Sequence, residues 1–176
     1  MAKKKRVNPR RIPMAREAID KKALLEEANH ENLAIAWTLV VHAMLKQRIK
    51  TVAEMEQIWA AIPDLTTEHR ITTWEIEKAS KLMGIQSPHP NISMQSIRSV
   101  SEIESFKKKA QEQAVFNALC FVCLMFEESK LVSPEEMKRT FANVALTIAE
   151  LESGMTSVVQ MKDDLAEMGL SMEDDD

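Results

Sequence analysis

Two stretches of this chain, set 82 residues apart, carry the same order of apolar residues and helix caps, which limits it to folds that treat its two halves alike. The shift lays Ala28–Met44 on Ala110–Phe126, with Ala36 on Ala118 and Val40 on Val122. It also lays Thr51 on Ser133, Glu54 on Glu136, Met55 on Met137 and Trp59 on Phe141. After a three-residue insertion the match resumes, with Ile76 on Met161, Met83 on Met168, Gly84 on Gly169 and Ile85 on Leu170.

Each half reads as three helices. The first is apolar nearly all round, through Leu33–Leu45 in one half and Ala114–Phe126 in the other. The second opens on a capping box, in which the Thr51 or Ser133 hydroxyl takes an orphan amide and the glutamate three residues on answers back. In the first half Pro63 closes that helix, and Thr72 or Thr73 with Glu75 and Glu77 opens the third. Gly84 supplies a left-handed cap to end it. A helix apolar on every side cannot be sheathed by one such unit, so the two long helices are expected to pack together across a pseudo-two-fold axis. The expected fold is an all-α helical bundle of two pseudo-symmetric three-helix repeats, 14–86 and 100–170, joined by a linker at 87–99. A flexible basic arm at 1–13 precedes them and an acidic tail at 171–176 follows.

Composition agrees. Three Gly, six Pro and no Tyr among 176 residues suit helices rather than strands and tight turns. The length is enough to bury about 70% of the unfolded surface without disulfides or metals. Both apolar runs fall short of the ~20 residues of a membrane span, so no membrane association is expected. Cys120 and Cys123 cannot build a disulfide framework and suit a reducing, cytoplasmic compartment. No apolar stretch follows the basic start before Leu33, so no signal peptide is expected.

Charge is segregated. Lys3, Lys4, Lys5, Arg6, Arg10, Arg11 and Arg16 stand in the first 16 residues with no acid among them. The remainder holds 16 basic and 27 acidic residues, about −11, against −4 for the whole chain. Pro9 and Pro13 break any helix here, so an extended arm is expected.

The arm Lys4-Lys5-Arg6-Val7-Asn8-Pro9-Arg10-Arg11, followed by Pro13, resembles the opening of small uncharacterised proteins encoded by phages and prophages of Gram-positive bacteria. The likeness continues through Glu27-Ala28 to Trp37, then through Trp74-Glu75-Ile76-Glu77 and Gly84-Ile85, covering about residues 3–86. Those proteins are usually one unit long, so the second copy is a departure. The resemblance implies a phage origin and the cytoplasm of a bacterial host, and carries no activity with it.

Candidate chemistry is sparse. Cys120-x-x-Cys123 has the spacing of a redox or metal pair, but lacks a second pair or a nearby His, and reads as two core thiols in place of Thr38 and Val41. His42 has Thr38, Leu39, Leu45 and Lys46 at its helical neighbours and reads as a core or interface histidine, while His30, His69 and His89 read as surface residues. Glu26-Glu27, Glu54/Glu56, Glu75/Glu77 and Asp163-Asp164 suit helix starts and outer faces. Trp37, Trp59 and Trp74 read as core, with an aromatic binding face as the alternative for the last two. Glycine loops for phosphates and metalloprotease or nucleophile motifs are missing. No enzyme activity and no cofactor or metal are expected.

The arm is then the strongest functional feature: seven cations that neutralise phosphates, at Lys3, Lys4, Lys5, Arg6, Arg10, Arg11 and Arg16. Two readings follow. The arm holds nucleic acid while the helical body spaces it or recruits a protein, as in an accessory or regulatory factor. Alternatively the acidic body fills a basic groove on a host nucleic-acid-handling or defence protein and inhibits it, as anti-CRISPR proteins do. The oligomeric state is a monomeric pseudo-dimer or a homodimer.

Overall fold

The computed structural model describes residues 21–61, 71–95, 97 and 100–170. The basic arm, Pro63 and the acidic tail lie outside the described residues. Among those described the chain is all helical, an all-α bundle with no strand. The helices are α1 (Lys21–Lys46), α2 (Val52–Ala61), α3 (Thr73–Met83), α4 (Val100–Ser129), α5 (Pro134–Glu152) and α6 (Val158–Glu167). A 3₁₀ turn, Ile92–Met94, precedes α4.

The two long helices, α1 and α4, form the most extensive contact in the molecule. Every residue from Ala36 to Leu45 is buried, as are Leu119, Cys120, Val122, Cys123 and Phe126 on α4, and all of these except Thr38 and His42 belong to one apolar cluster. Each fully buried Leu, Val or Phe there contributes about 1.5–3 kcal/mol relative to exposure. The apolar all-round pattern is satisfied by the short helices, and it is satisfied crosswise. The third helix of the first half, α3, packs on α4, while α6 packs on α1. The second helices also reach across, α5 onto α1 extensively and α2 onto α4 sparingly.

Local chemistry fixes where these helices begin and end. Thr51 and Glu54 exchange hydrogen bonds at the head of α2, as do Ser133 and Glu136 at the head of α5. Thr72 and Glu75 form a third capping box on α3, and Ser157 caps α6 through the Gln160 amide. Thr72 and Ser157 are related by the same spacing that relates Gly84 to Gly169, and both glycines are left-handed, at φ 70° and 93°. Arg48 and Lys130, which end the turns after α1 and α4, also hold left-handed backbones, at φ 52° and 57°. These two lie 82 residues apart.

A smaller apolar cluster gathers Ala28, Ile92, Phe106, Ala110 and Ala114 at the start of the two long helices. Lys21 secures it from outside, its ammonium donating to the carbonyls of Ser93 and Gln95 and lying 5.5 Å from the Phe106 ring centroid.

The tryptophans divide. Trp37 is buried, with its ring centroid 5.1 Å from that of Trp59 and 5.5 Å from that of Phe126. Trp59 and Trp74, expected in the core, are instead 58% and 67% exposed. On α2 the inward positions are taken by Met55 and Ile58, which leaves Trp59 at the margin over Trp37. Its counterpart Phe141 is fully buried, because α5 runs on past it through Val144 and packs broadly on α1. Trp74 stands in the first turn of α3, ahead of the buried Ala79 and Met83.

Candidate functional site

The arm cations Lys3, Lys4, Lys5, Arg6, Arg10, Arg11 and Arg16 lie outside the described residues, so the surfaces open to description belong to the helical body. Two grooves mark it.

The first lies where α3 crosses α4. The Thr72–Glu75 box sets the helical register, and that register puts Trp74 and Lys78 four residues apart on one face. The Lys78 ammonium lies 5.7 Å from the Trp74 ring centroid and 2.6 Å from Glu127 of α4. Phe121, Leu124, Met125 and Glu128 follow at helical spacing along α4 and form the opposite wall, enclosing about 420 Å³ with Trp74. The groove therefore combines an exposed indole, an apolar wall and carboxylates at Glu127 and Glu128, and a cation already lies against the ring.

The second groove, about 470 Å³, is more apolar. Ile35 and Leu39 of α1, Val115, Phe116 and Leu119 of α4, and Ile148 and Leu151 of α5 line it, with Ile85 and Pro88 closing one side. The loop that carries Pro88 is tied down by Gln113, whose side-chain oxygen accepts from the Ser87 hydroxyl and the His89 amide. His89, expected at the surface, is half-buried and contacts Glu112 at 2.5 Å.

The remaining candidates are resolved by packing. Cys120 and Cys123 have no exposed surface, and burial pushes both thiols up to about 12. Among the described residues no three His, Cys, Asp or Glu side chains come together to hold a metal ion, around them or elsewhere. His69 and the side chains of Glu26, Glu27 and His30 lie outside the described residues. Glu54 and Glu75 serve as helix caps, and Glu56, Glu77 and Asp163 are exposed. At Glu54, hydrogen bonds from the Thr51 amide and hydroxyl hold the carboxyl below its ordinary range. At Glu136 partial burial pushes upward, but hydrogen bonds from Lys50 and Ser133 outweigh it and the carboxyl is again lowered.

Asp164 departs from the outer-face expectation. Its carboxylate accepts from Nε2 of the buried His42 at 3.1 Å, joining α6 to α1. The other ring nitrogen, Nδ1, is buried without a hydrogen-bond partner. Its partner stands 122 residues away, beyond any helical neighbour of His42. A signal was nonetheless present: the 82- and 85-residue offsets set His42 against Leu124 and Asp164 against Ala79, so two polar residues replace apolar ones at positions that come together only in the fold.

No helix among the described residues is long and apolar enough to cross a membrane. No protein-family model, curated protein or solved structure matches the chain.

Proposed function

We propose that this chain is a non-catalytic phage or prophage protein of the bacterial host's cytoplasm, whose basic arm engages nucleic acid while its helical body spaces the complex or recruits a protein. One observation carries the reading: seven cations and no acid in residues 1–16, set on a remainder of about −11. An acidic body is repelled by phosphates, so attraction to nucleic acid must come through Lys3, Lys4, Lys5, Arg6, Arg10, Arg11 and Arg16. Binding rather than catalysis is supported by the state of the nucleophiles. Both cysteines are held as buried thiols, and His42 is enclosed against Asp164. The matched caps, glycines and left-handed turns support descent of the two halves from one duplicated unit.

The test is fluorescence anisotropy of labelled duplex and single-stranded DNA and RNA, titrated with the full chain and with a chain lacking residues 1–16 at two salt concentrations. Binding that weakens with salt and disappears with the arm is the expected result. Binding retained without the arm, or absent from both chains, refutes the reading.

A second reading is favoured by the exposed indoles. Trp59 and Trp74 are the residue type that dominates protein interfaces, and Trp74 stands beside Glu127 and Glu128. On this reading the acidic body occupies a basic surface of a host nucleic-acid-handling or defence protein and blocks it.

A further inference from the structure

We propose that the groove between α3 and α4 is a docking site for a lysine- or arginine-bearing segment of a partner protein. The inference rests on the reading that the helical body binds a protein, and it names the surface and the chemistry of what binds there.

Three features of the groove select a cation on an aliphatic stem. Trp74 offers an exposed aromatic face, which attracts ammonium and guanidinium groups through its ring quadrupole. Phe121, Leu124 and Met125 give an apolar wall along which the methylenes of Lys or Arg can lie. Glu127 and Glu128 provide the counter-charge, and Glu128 is exposed at the groove's edge. The protein's own Lys78 demonstrates the fit, since its ammonium lies against the indole and within 2.6 Å of Glu127. Lys78 uses one of the two carboxylates and leaves Glu128 facing solvent. An arriving arginine, with its planar fork of donors, suits a site of one carboxylate beside one ring better than lysine does.

The fold has reason to tolerate an exposed indole here. Trp74 lies outside the core cluster, to which α3 contributes Ala79, Met83 and the partly buried Ile76 and Leu82. Val159, which the repeat sets opposite Trp74, is exposed to the same degree but has Asp163 rather than Lys78 four residues on. The aromatic and cationic pair therefore belongs to one half of the molecule only, as a binding site does and a packing requirement does not.

The experiment uses the full chain and a short labelled peptide that alternates arginine with alanine, followed by anisotropy. A peptide with glutamate in place of arginine serves as the control. The arginine peptide is expected to bind and the glutamate peptide not. Trp74→Ala is expected to weaken binding about tenfold, the scale of a lost aromatic anchor with its cation–π contact. Glu128→Gln is expected to weaken it a few-fold and to reduce its salt dependence. Lys78→Met removes the internal competitor and is expected to tighten binding, an effect that a purely structural role for Lys78 would not produce. Glu104→Gln, about 36 Å away along α4, is expected to have no effect. Trp74 and Glu128 are exposed, so unchanged circular dichroism keeps these losses apart from unfolding.

Equal affinity in wild type and Trp74→Ala, or equal losses in Glu128→Gln and Glu104→Gln, overturns the proposal and leaves only diffuse charge attraction. If the wild type binds nothing while a chain with the seven arm cations changed to alanine binds the peptide, the occupant is the arm itself and the partner assignment falls. Concentration-dependent self-association abolished by Trp74→Ala assigns the groove to a second copy and also overturns it. Binding of DNA by the arm is read separately and is expected to survive Trp74→Ala, so the two readings fail independently.

Discussion

Cys120 and Cys123 sit one helical turn apart on α4, and burial raises both thiols from an ordinary 9.0 to about 12. Because the folded-state value lies above the unfolded one, folding is favoured by the retained protons at every pH below about 9. The advantage is then lost as pH climbs towards 12, at about 1.4 kcal/mol per thiol for each pH unit. Urea midpoints measured across this range are expected to fall, and a Cys120→Ser, Cys123→Ala chain to fall less steeply. At pH 8 iodoacetamide is expected to alkylate the native chain far more slowly than the urea-unfolded chain, and equal rates would mean the thiols are open. His42 makes a related argument. Its Nε2–H has only the Asp164 carboxylate to receive it, so Asp164→Ala strands a buried donor and is expected to cost about 1–3 kcal/mol. Asp164→Asn keeps an acceptor oxygen and is expected to cost less. If the two variants melt alike, the hydrogen bond contributes nothing.

At the scale of the helix, ends were easier to read than faces. The Thr51–Glu54 and Ser133–Glu136 boxes are spelled out by hydroxyl and carboxylate three residues apart, because capping is a local exchange that needs no tertiary context. Gly84 and Gly169 announce themselves in the same way. Arg48 and Lys130 do not, since nothing in a basic side chain signals a left-handed backbone; the turn between a long helix and the next capped one imposes it. Holding a non-glycine there costs about 1 kcal/mol, so Lys130→Gly is expected to leave stability unchanged or raise it by up to about 1 kcal/mol. Glycine at an exposed helical position such as Lys138 is expected to lower it by about the same amount. A clear loss of stability in Lys130→Gly, measured by urea titration, would show that the Lys130 side chain matters more than its backbone. The site was less legible than the caps. Trp74 and Phe121 are 47 residues apart, and their meeting depends on α3 crossing to the other half's long helix, which no local pattern encodes. The exposure of Trp59 likewise depends on how little of α2 reaches α4.

The whole molecule is held by exchange between its halves. α3 leaves its own half to pack on α4, α6 leaves its own to pack on α1, and α1 and α4 bury their apolar surfaces on each other. Each crossing also carries a polar contact, the Lys78–Glu127 ion pair on one side and the His42–Asp164 hydrogen bond on the other. The all-α class and the burial of both long helices were readable from the absence of polar faces in Leu33–Leu45 and Ala114–Phe126, since such helices have nowhere to go but the centre. The crosswise docking was not, because either half's third helix presents a suitable apolar stripe to either long helix. That exchange makes a definite demand on a chain cut after residue 86. Without α4 and α6, the segment from Ala36 to Leu45 would open to water on faces that are now fully covered, a loss of several side chains at about 1.5–3 kcal/mol each. This exceeds what a unit of that size can withstand, given the narrow stability margin of small domains. The half-chain is therefore expected to be unfolded at low concentration. At high concentration it is expected to fold only as a homodimer in which a second α1 takes the place of α4. Circular dichroism with sedimentation equilibrium over a range of concentrations decides this, because a folded dimer must lose helix as it dissociates. A half-chain that melts cooperatively as a monomer would mean that α3 can close over its own α1, and the exchange would then be a choice of the full chain and not a condition of its folding.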